Sequence, residues 1–167
     1  MICPHQCTAA SVSPTGHGFM SNRILFHWVN GMKLFSDTFE VSTRGEVDLV
    51  NITDRLTETV RGSGVENGIA NVLCLHTTCG LYVNEDESRL RRDVERALEK
   101  LVPRGAGYNH DKIDDNTHAH LRTILLSSTL TLPVSGGRPV LGTWQKLFCA
   151  EFDGPRTRMI RIQVLGE

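Results

Sequence analysis

The sequence predicts an α+β domain built on a largely antiparallel sheet. Segments with strand-like alternation gather toward both ends of the chain, and two main helices are expected between them. That order favours α+β over a repeating βαβ fold, in which strands and helices would alternate one for one. No internal repeat interrupts it. With 167 residues, 40% of them hydrophobic, the chain suits one domain with a real core and is short for two. The division expected is an N-terminal extension over residues 1–30 and a single domain over 31–167.

Met1–Gly18 mixes Cys, Ser, Thr, Pro and Gly without a sustained period, a composition suited to disorder. Regular signals begin at Lys33. In Lys33–Val41, Phe35, Phe39 and Val41 mark one face of a strand. Arg44-Gly45 is a turn and Val47–Ile52 a second short strand. Thr53 is placed to cap a helix with Leu56 and Val60 on one face, closed by Gly62-Ser63-Gly64. After the turn chemistry of Asn67-Gly68, Ile69–Leu75 is a nearly unbroken apolar run, which predicts a central strand buried on both sides.

Leu90, Val94, Ala97, Leu98 and Leu101 make the clearest helical stripe, which ends at Pro103 and Arg104–Gly107. Asn116 or Thr117 is placed to cap the next helix, with Leu121, Ile124 and Leu125 on its buried side. The last forty or so residues read as strands. Thr129–Val134 and Val140–Leu141 flank a hairpin turn at Ser135–Arg138, and Gln145–Phe152 and Thr157–Val164 flank Asp153-Gly154-Pro155. In the final strand Arg158, Ile160, Ile162 and Val164 share one face. Trp144 is expected in the core or at an interface.

A formal net charge of −1, from 18 Lys+Arg against 19 Asp+Glu, supplies no general attraction to nucleic acid or anionic membrane. No run of 18 apolar residues exists to span a bilayer. The five cysteines show no paired framework, so Cys74 and Cys149 are expected as small core residues in a reducing compartment. The N-terminus lacks a charged head followed by an apolar core, and a cytoplasmic location is expected.

The chemistry concentrates in Tyr108–Leu121, which holds three of the seven histidines (His110, His118 and His120) together with Asp111, Asp114, Asp115 and Asn116. Imidazoles and carboxylates bind divalent metals and move protons near neutral pH. His76 closes a predicted strand, where a sheet hands side chains to a cleft. Asn84, Glu85 and the three aspartates are candidate orienting partners. Spacing alone leaves a metal site and hydrogen-bonded structural histidines both open. On one helix His118 and His120 lie about 200° apart, so only one serves a site; His120 is kept and His118 assigned to the surface. Arg156 and Arg158 read either as a clamp for an anionic substrate or as ordinary surface arginines. Ser127-Ser128 lacks the setting of a nucleophilic serine.

Six motifs follow one another in order: His76-Thr77-Thr78 through Asn84-Glu85; Tyr108-x-His110; Asn116-x-x-Ala119-His120-Leu121; Leu132-Pro133-Val134; Leu141–Gln145; and Glu151–Arg156. Together they resemble the YjbQ family, whose members are described as secondary thiamine-phosphate synthases. The resemblance implies a β-sandwich-like core, assembly as a homotrimer, and His76, His110 and His120 as ligands of a divalent ion such as zinc. It further implies a transferase joining a pyrimidine-methyl pyrophosphate to a thiazole phosphate with release of pyrophosphate. Glu85, Asp115 and Asn116 would then be catalytic, and Asn84, Arg156 and Arg158 substrate-binding. A metal-dependent hydrolase of a small phosphorylated metabolite would use the same residues, and a non-catalytic trimeric metabolite-binding protein, whose binding would survive loss of the three histidines, is the third reading.

Overall fold

The computed structural model describes residues 24–27 and 31–167. The strands are β1 (Ile24–His27), β2 (Lys33–Ser42), β3 (Asp48–Asn51), β4 (Asn67–Cys74), β5 (Cys79–Glu85), β6 (Thr129–Ser135), β7 (Arg138–Pro139), β8 (Gln145–Glu151) and β9 (Thr157–Gly166). The helices are α1 (Thr53–Ser63), α2 (Ser88–Leu101) and α3 (Thr117–Leu126). Three helices of comparable length thus stand where two main ones were expected. A six-stranded sheet runs β1-β2-β9-β4-β6-β7 and a three-stranded sheet β3-β8-β5, every pair antiparallel. β1 comes from within the stretch read as an extension; the rest of that stretch lies outside the described residues.

The main core draws side chains from both sheets: Phe35, Phe39, Val72, Ile160 and Ile162 from the larger, Leu81, Leu147 and Cys149 from the smaller, with Leu56 and Val60 of α1. A second cluster occupies the other side of the small sheet, where Leu49, Phe148, Ala150 and Phe152 meet Leu98 of α2 and Ala119 of α3. The small sheet is therefore a middle layer, and β8 is buried on both faces from Leu147 to Glu151. β4, expected to be the strand buried on both sides, is not. Its burial alternates, leaving Ile69 on the open face of the large sheet. Apolar content marks a strand; the layer it joins decides which faces are covered. The strand faces predicted for β2 and β9 are as found. At the β4–β9 register Gly68 lies opposite Gly166, and a Cβ on Gly68 would come within 2.1 Å of the Leu165 carbonyl oxygen.

The caps differ from expectation. Thr53 makes no cap hydrogen bond: its hydroxyl bonds Asn51 Oδ1 at 2.6 Å and accepts the Leu147 amide at 2.9 Å. Asn116 does not cap α3 with its side chain either; Asp111 Oδ1 accepts the Thr117 amide at 3.2 Å. The Glu87 carboxylate caps α2 through the amides of Arg89 and Leu90, both at 2.9 Å. In the α2 stripe only Leu98 is fully buried, and Leu101 is exposed.

On α3 the inner face is His118, Ala119, Arg122 and Thr123, so Ile124 (74% exposed) and Leu125 (58%) point outward. Arg122 takes the inward place of these aliphatic residues because its Nε and Nη2 donate to the Val102 carbonyl, freed at the end of α2, at 3.1 and 2.9 Å, while Glu99 takes the charge. Trp144 is exposed rather than in the core. Among the described residues, no helix is long and apolar enough to cross a membrane.

Candidate functional site

A cavity of about 570 Å³ opens where β4 ends, between the loop that follows it and α3. His76 and Thr77 line it from the loop, His120, Thr123 and Ile124 from α3, and Ser127 and Ser128 from the α3–β6 turn. Cys74 also reaches the wall, but it is no nucleophile: contact with Cys79 and burial push its thiol far above the ordinary range. Cys79 in turn stands 3.1 Å from Cys149, sulfur to sulfur, and all three cysteines are buried, as expected for two of them.

Behind His76 lies a charged pair that sequence reasoning missed. Arg158, on the inner face of β9, grips Glu151 at the end of β8, with Nη2 donating to Oε1 at 2.6 Å and Nε donating to Oε2. Nη2 also donates to Thr78 Oγ1 at 2.8 Å. Glu151 Oε1 further accepts the amides of Phe152 and Asp153 at 3.0 and 2.9 Å. A fully buried carboxylate is tolerated only with such partners. The signal was present in the sequence: Glu151 interrupts an otherwise apolar run from Leu147 to Phe152. Arg158 is therefore a buried support, neither a substrate clamp nor a surface residue.

The remaining guanidinium nitrogen, Nη1, stands 3.4 Å from His76 Nδ1, while His76 Nε2 accepts the Met159 amide at 2.9 Å. Nε2 is then the lone-pair nitrogen and Nδ1 carries the proton. Desolvation, then the nearby Arg158 charge, hold the His76 pKa below the usual histidine value, so the ring is neutral at neutral pH. Its single lone pair is occupied by the backbone, so His76 as it stands does not fit the role of metal ligand.

His110 and His120 do fit. His110 opens a single 3-10 turn, and its ring centre lies 5.3 Å from that of His120 with the planes 88° apart. Two imidazoles sharing a tetrahedral ion, with metal–nitrogen bonds of about 2.0–2.1 Å, have ring centres roughly 5 Å apart. Among the described residues no group of three His, Cys, Asp or Glu side chains converges to hold an ion within one chain.

The other candidates are dispersed. Asp115 is exposed and paired with Arg104 at 2.6 Å, a contact that holds its carboxyl below the usual range. Asn116 is buried and donates to Asp114 Oδ2 and Asp153 Oδ2, both at 3.1 Å, tying the start of α3 to the β8–β9 turn. Arg156 is anchored to that turn through the Asp153 carbonyl at 2.7 Å and carboxylate at 3.0 Å. Asn84 and Glu85 pair with Lys146 and Gln145 at the opposite end of β5 from Cys79, about 20 Å away at roughly 3.3 Å per residue. Within one chain they do not reach the cavity.

His118, assigned to the surface, is only 2% exposed and lies 3.6 Å from Glu46. Burial first, then Arg122 and Arg104, push its pKa down. The i, i+2 argument separated the two histidines correctly but not which of them faces inward.

The sequence pattern of the UPF0047 protein YjbQ-like family matches residues 37–167. The chain belongs to that family. A UPF0047 protein of Methanothermobacter thermautotrophicus is 43% identical over 81% of this chain and 95% of its own length. The UPF0047 protein YugU of Bacillus subtilis is 30% identical over 77% of this chain and 98% of its own. Among solved structures, a YbjQ-like protein of unknown function from Sulfolobus solfataricus superposes with a TM-score of 0.80 at 39% identity, covering 81% of this chain and 99% of that one. A hypothetical protein of Aeropyrum pernix superposes at 0.77 with 36% identity, over 79% and 98%. The α+β architecture read from the sequence is thus that of the UPF0047 proteins.

Proposed function

We propose that the cavity between the end of β4 and α3 binds a small phosphorylated metabolite, and that the protein is a transferase of the thiamine-phosphate synthase type. It would join a pyrimidine-methyl pyrophosphate to a thiazole phosphate and release pyrophosphate. The observation that carries this reading is one cavity lined by two imidazoles, His76 and His120, and by the hydroxyl residues Thr77, Thr123, Ser127 and Ser128. Among the described residues no carboxylate lines it to repel an anion. The resemblance of the six motifs supplies the reaction itself.

His110 and His120 would hold a divalent ion such as zinc, which when bound neutralises charge on phosphate oxygens as a Lewis acid. The Thr77, Thr123 and Ser128 hydroxyls on the wall would donate to the same oxygens. Neutral His76 donates no charge but offers a polar ring whose orientation is fixed by the Met159 amide. Arg156, connected to the start of α3 through Asp153 and Asn116, would be a further contact for the anion. Homotrimer assembly belongs to this proposal: Leu75 and Ile124 line the cavity and are exposed, which favours covering by a second copy. In such an assembly Asn84 and Glu85 of one subunit would complete a neighbour's site. The buried free cysteines support a reducing, cytoplasmic setting.

The hydrolase reading draws on the open mouth of the cavity, marked by exposed Leu75 and Thr77, which admits water. Incubating purified protein and zinc with the pyrimidine-methyl pyrophosphate, with and without the thiazole phosphate, separates the two. Equal thiamine phosphate and pyrophosphate, lost in His120→Ala, is the result expected. Pyrophosphate release without the second substrate would favour hydrolysis. No product above the His120→Ala control would end both, and ligand binding that survives loss of His76, His110 and His120 would leave a binding protein. Elemental analysis is expected to find metal lost in His110→Ala and His120→Ala but kept in His76→Ala.

A further inference from the structure

Ser127 ends α3 with φ 84° and ψ 145°, and among the described residues it is the one non-glycine residue at positive φ. That region of backbone space is essentially reserved for glycine, because a Cβ crowds the neighbouring peptide. The conformation persists because the residue is bound on every side. Its amide donates to Thr123 O at 2.8 Å, and its carbonyl accepts the Leu81 amide at 2.8 Å. Its hydroxyl donates to Thr129 O at 2.8 Å and accepts the Thr129 amide at 3.2 Å. Beneath it, Gly80 admits the end of α3 so closely that a Cβ there would stand 3.3 Å from Ser127 O.

All the polar atoms of Ser127 are thus used inside the fold, although the residue lies on the cavity wall. The next residue is arranged differently. The Ser128 carbonyl is held by the Cys74 amide at 2.8 Å, while its side chain lines the cavity and has no hydrogen-bond partner among the described residues. Thr123, buried on the same wall, also has a hydroxyl without a partner. Strain that the surroundings over-determine, beside a cavity with unsatisfied hydroxyls, is the pattern of a pre-organised ligand site.

We propose that Ser127 is a positioning residue, whose constrained backbone presents the Ser128 hydroxyl to the phosphate oxygens of the bound ligand. This rests on the phosphorylated-metabolite reading above and adds to it the element that orients the anion. Glycine at position 127 would relax the turn and release Ser128; alanine would keep the strain and lose only the two hydroxyl bonds.

The test is calorimetric titration of the full chain with inorganic pyrophosphate, for the wild type, Ser127→Gly, Ser128→Ala and the double variant, beside thermal unfolding of each and of Ser127→Ala. Ser128→Ala and Ser127→Gly are each expected to weaken binding about tenfold, the effect of one charge-assisted hydrogen bond. The double variant should bind no more weakly than Ser128→Ala, because Ser127 acts only through its neighbour. Ser127→Gly should also unfold at a higher temperature than Ser127→Ala, despite the looser unfolded chain that glycine brings. Multiplying effects in the double variant, wild-type binding by Ser127→Gly, or a lower unfolding temperature than Ser127→Ala would each overturn the proposal. Absence of pyrophosphate binding by the wild type would instead overturn the phosphate reading, and this inference with it.

Discussion

Replacing Glu151 by Gln keeps the shape of the side chain and removes its charge, leaving Arg158 as a buried, uncompensated cation. Glu151 is 0% exposed, and its carboxylate takes two donors of Arg158 and the amides of Phe152 and Asp153. Breaking one side of a buried ion pair costs about 3–5 kcal/mol, because the remaining charge keeps its desolvation penalty. Against a typical domain stability of about 5–15 kcal/mol this is a large loss. Replacing both partners, Glu151→Gln with Arg158→Met, removes the lone buried charge while an amide oxygen still accepts from Phe152 and Asp153, and is expected to recover most of that loss. Urea unfolding followed by circular dichroism, at one protein concentration for all variants, measures each midpoint. A Glu151→Gln cost under about 1 kcal/mol, or a double variant as unstable as the single, would refute the idea that this pair is a desolvated unit.

Three further outcomes follow from the same geometry. The folded-state pKa of His118 lies below the ordinary 6.5, so its contribution to stability is fully present above about pH 6.5 and is lost as pH falls through the lower folded value, where the unfolded chain binds the extra proton. Unfolding midpoints across that acid range should slope less in His118→Gln; an unchanged slope would remove His118 from the account. A Cβ on Gly154 would stand 2.3 Å from the Gly45 carbonyl oxygen, so Gly154→Ala should lower stability by about 1–3 kcal/mol in the same urea assay. Changing Ile124 and Leu125 together to Asp should leave the circular dichroism of the chain intact and abolish self-association in light scattering; unchanged mass would show that this face is not a subunit contact.

The strand faces of β2 and β9 were legible from the sequence because a period of two needs no partner to be recognised. So was α1, whose Leu56 and Val60 fall on one face, and so was the turn at Asp153-Gly154-Pro155; Asn67-Gly68, read as a turn, instead opens β4 and pairs with β6 and β9. These are local properties, set by backbone sterics and side-chain spacing within a few residues. The loop histidines were also legible as a group, and His110 and His120 do stand together in space. Layer order was not legible. β4 was expected to be the strand buried on both sides, yet it is β8 that is covered on both faces, because coverage depends on which element packs above and below.

Polarity misled most on α3. Its most buried side chains include an arginine and a histidine, and two of its aliphatic residues face outward. A buried guanidinium needs acceptors and a carboxylate within reach, and for Arg122 these come from the end of α2, some twenty residues earlier in the chain. The Glu151–Arg158 pair has the same character, two charges from neighbouring strands that desolvate each other's surroundings. Composition and spacing thus determined the α+β class, several of the strands and the stretch rich in candidate ligands. Tertiary packing decided which charges lie inside, which histidine faces the cavity, and that the His76 lone pair is taken by the Met159 amide, because each of these is a property of atoms brought together from distant parts of the chain.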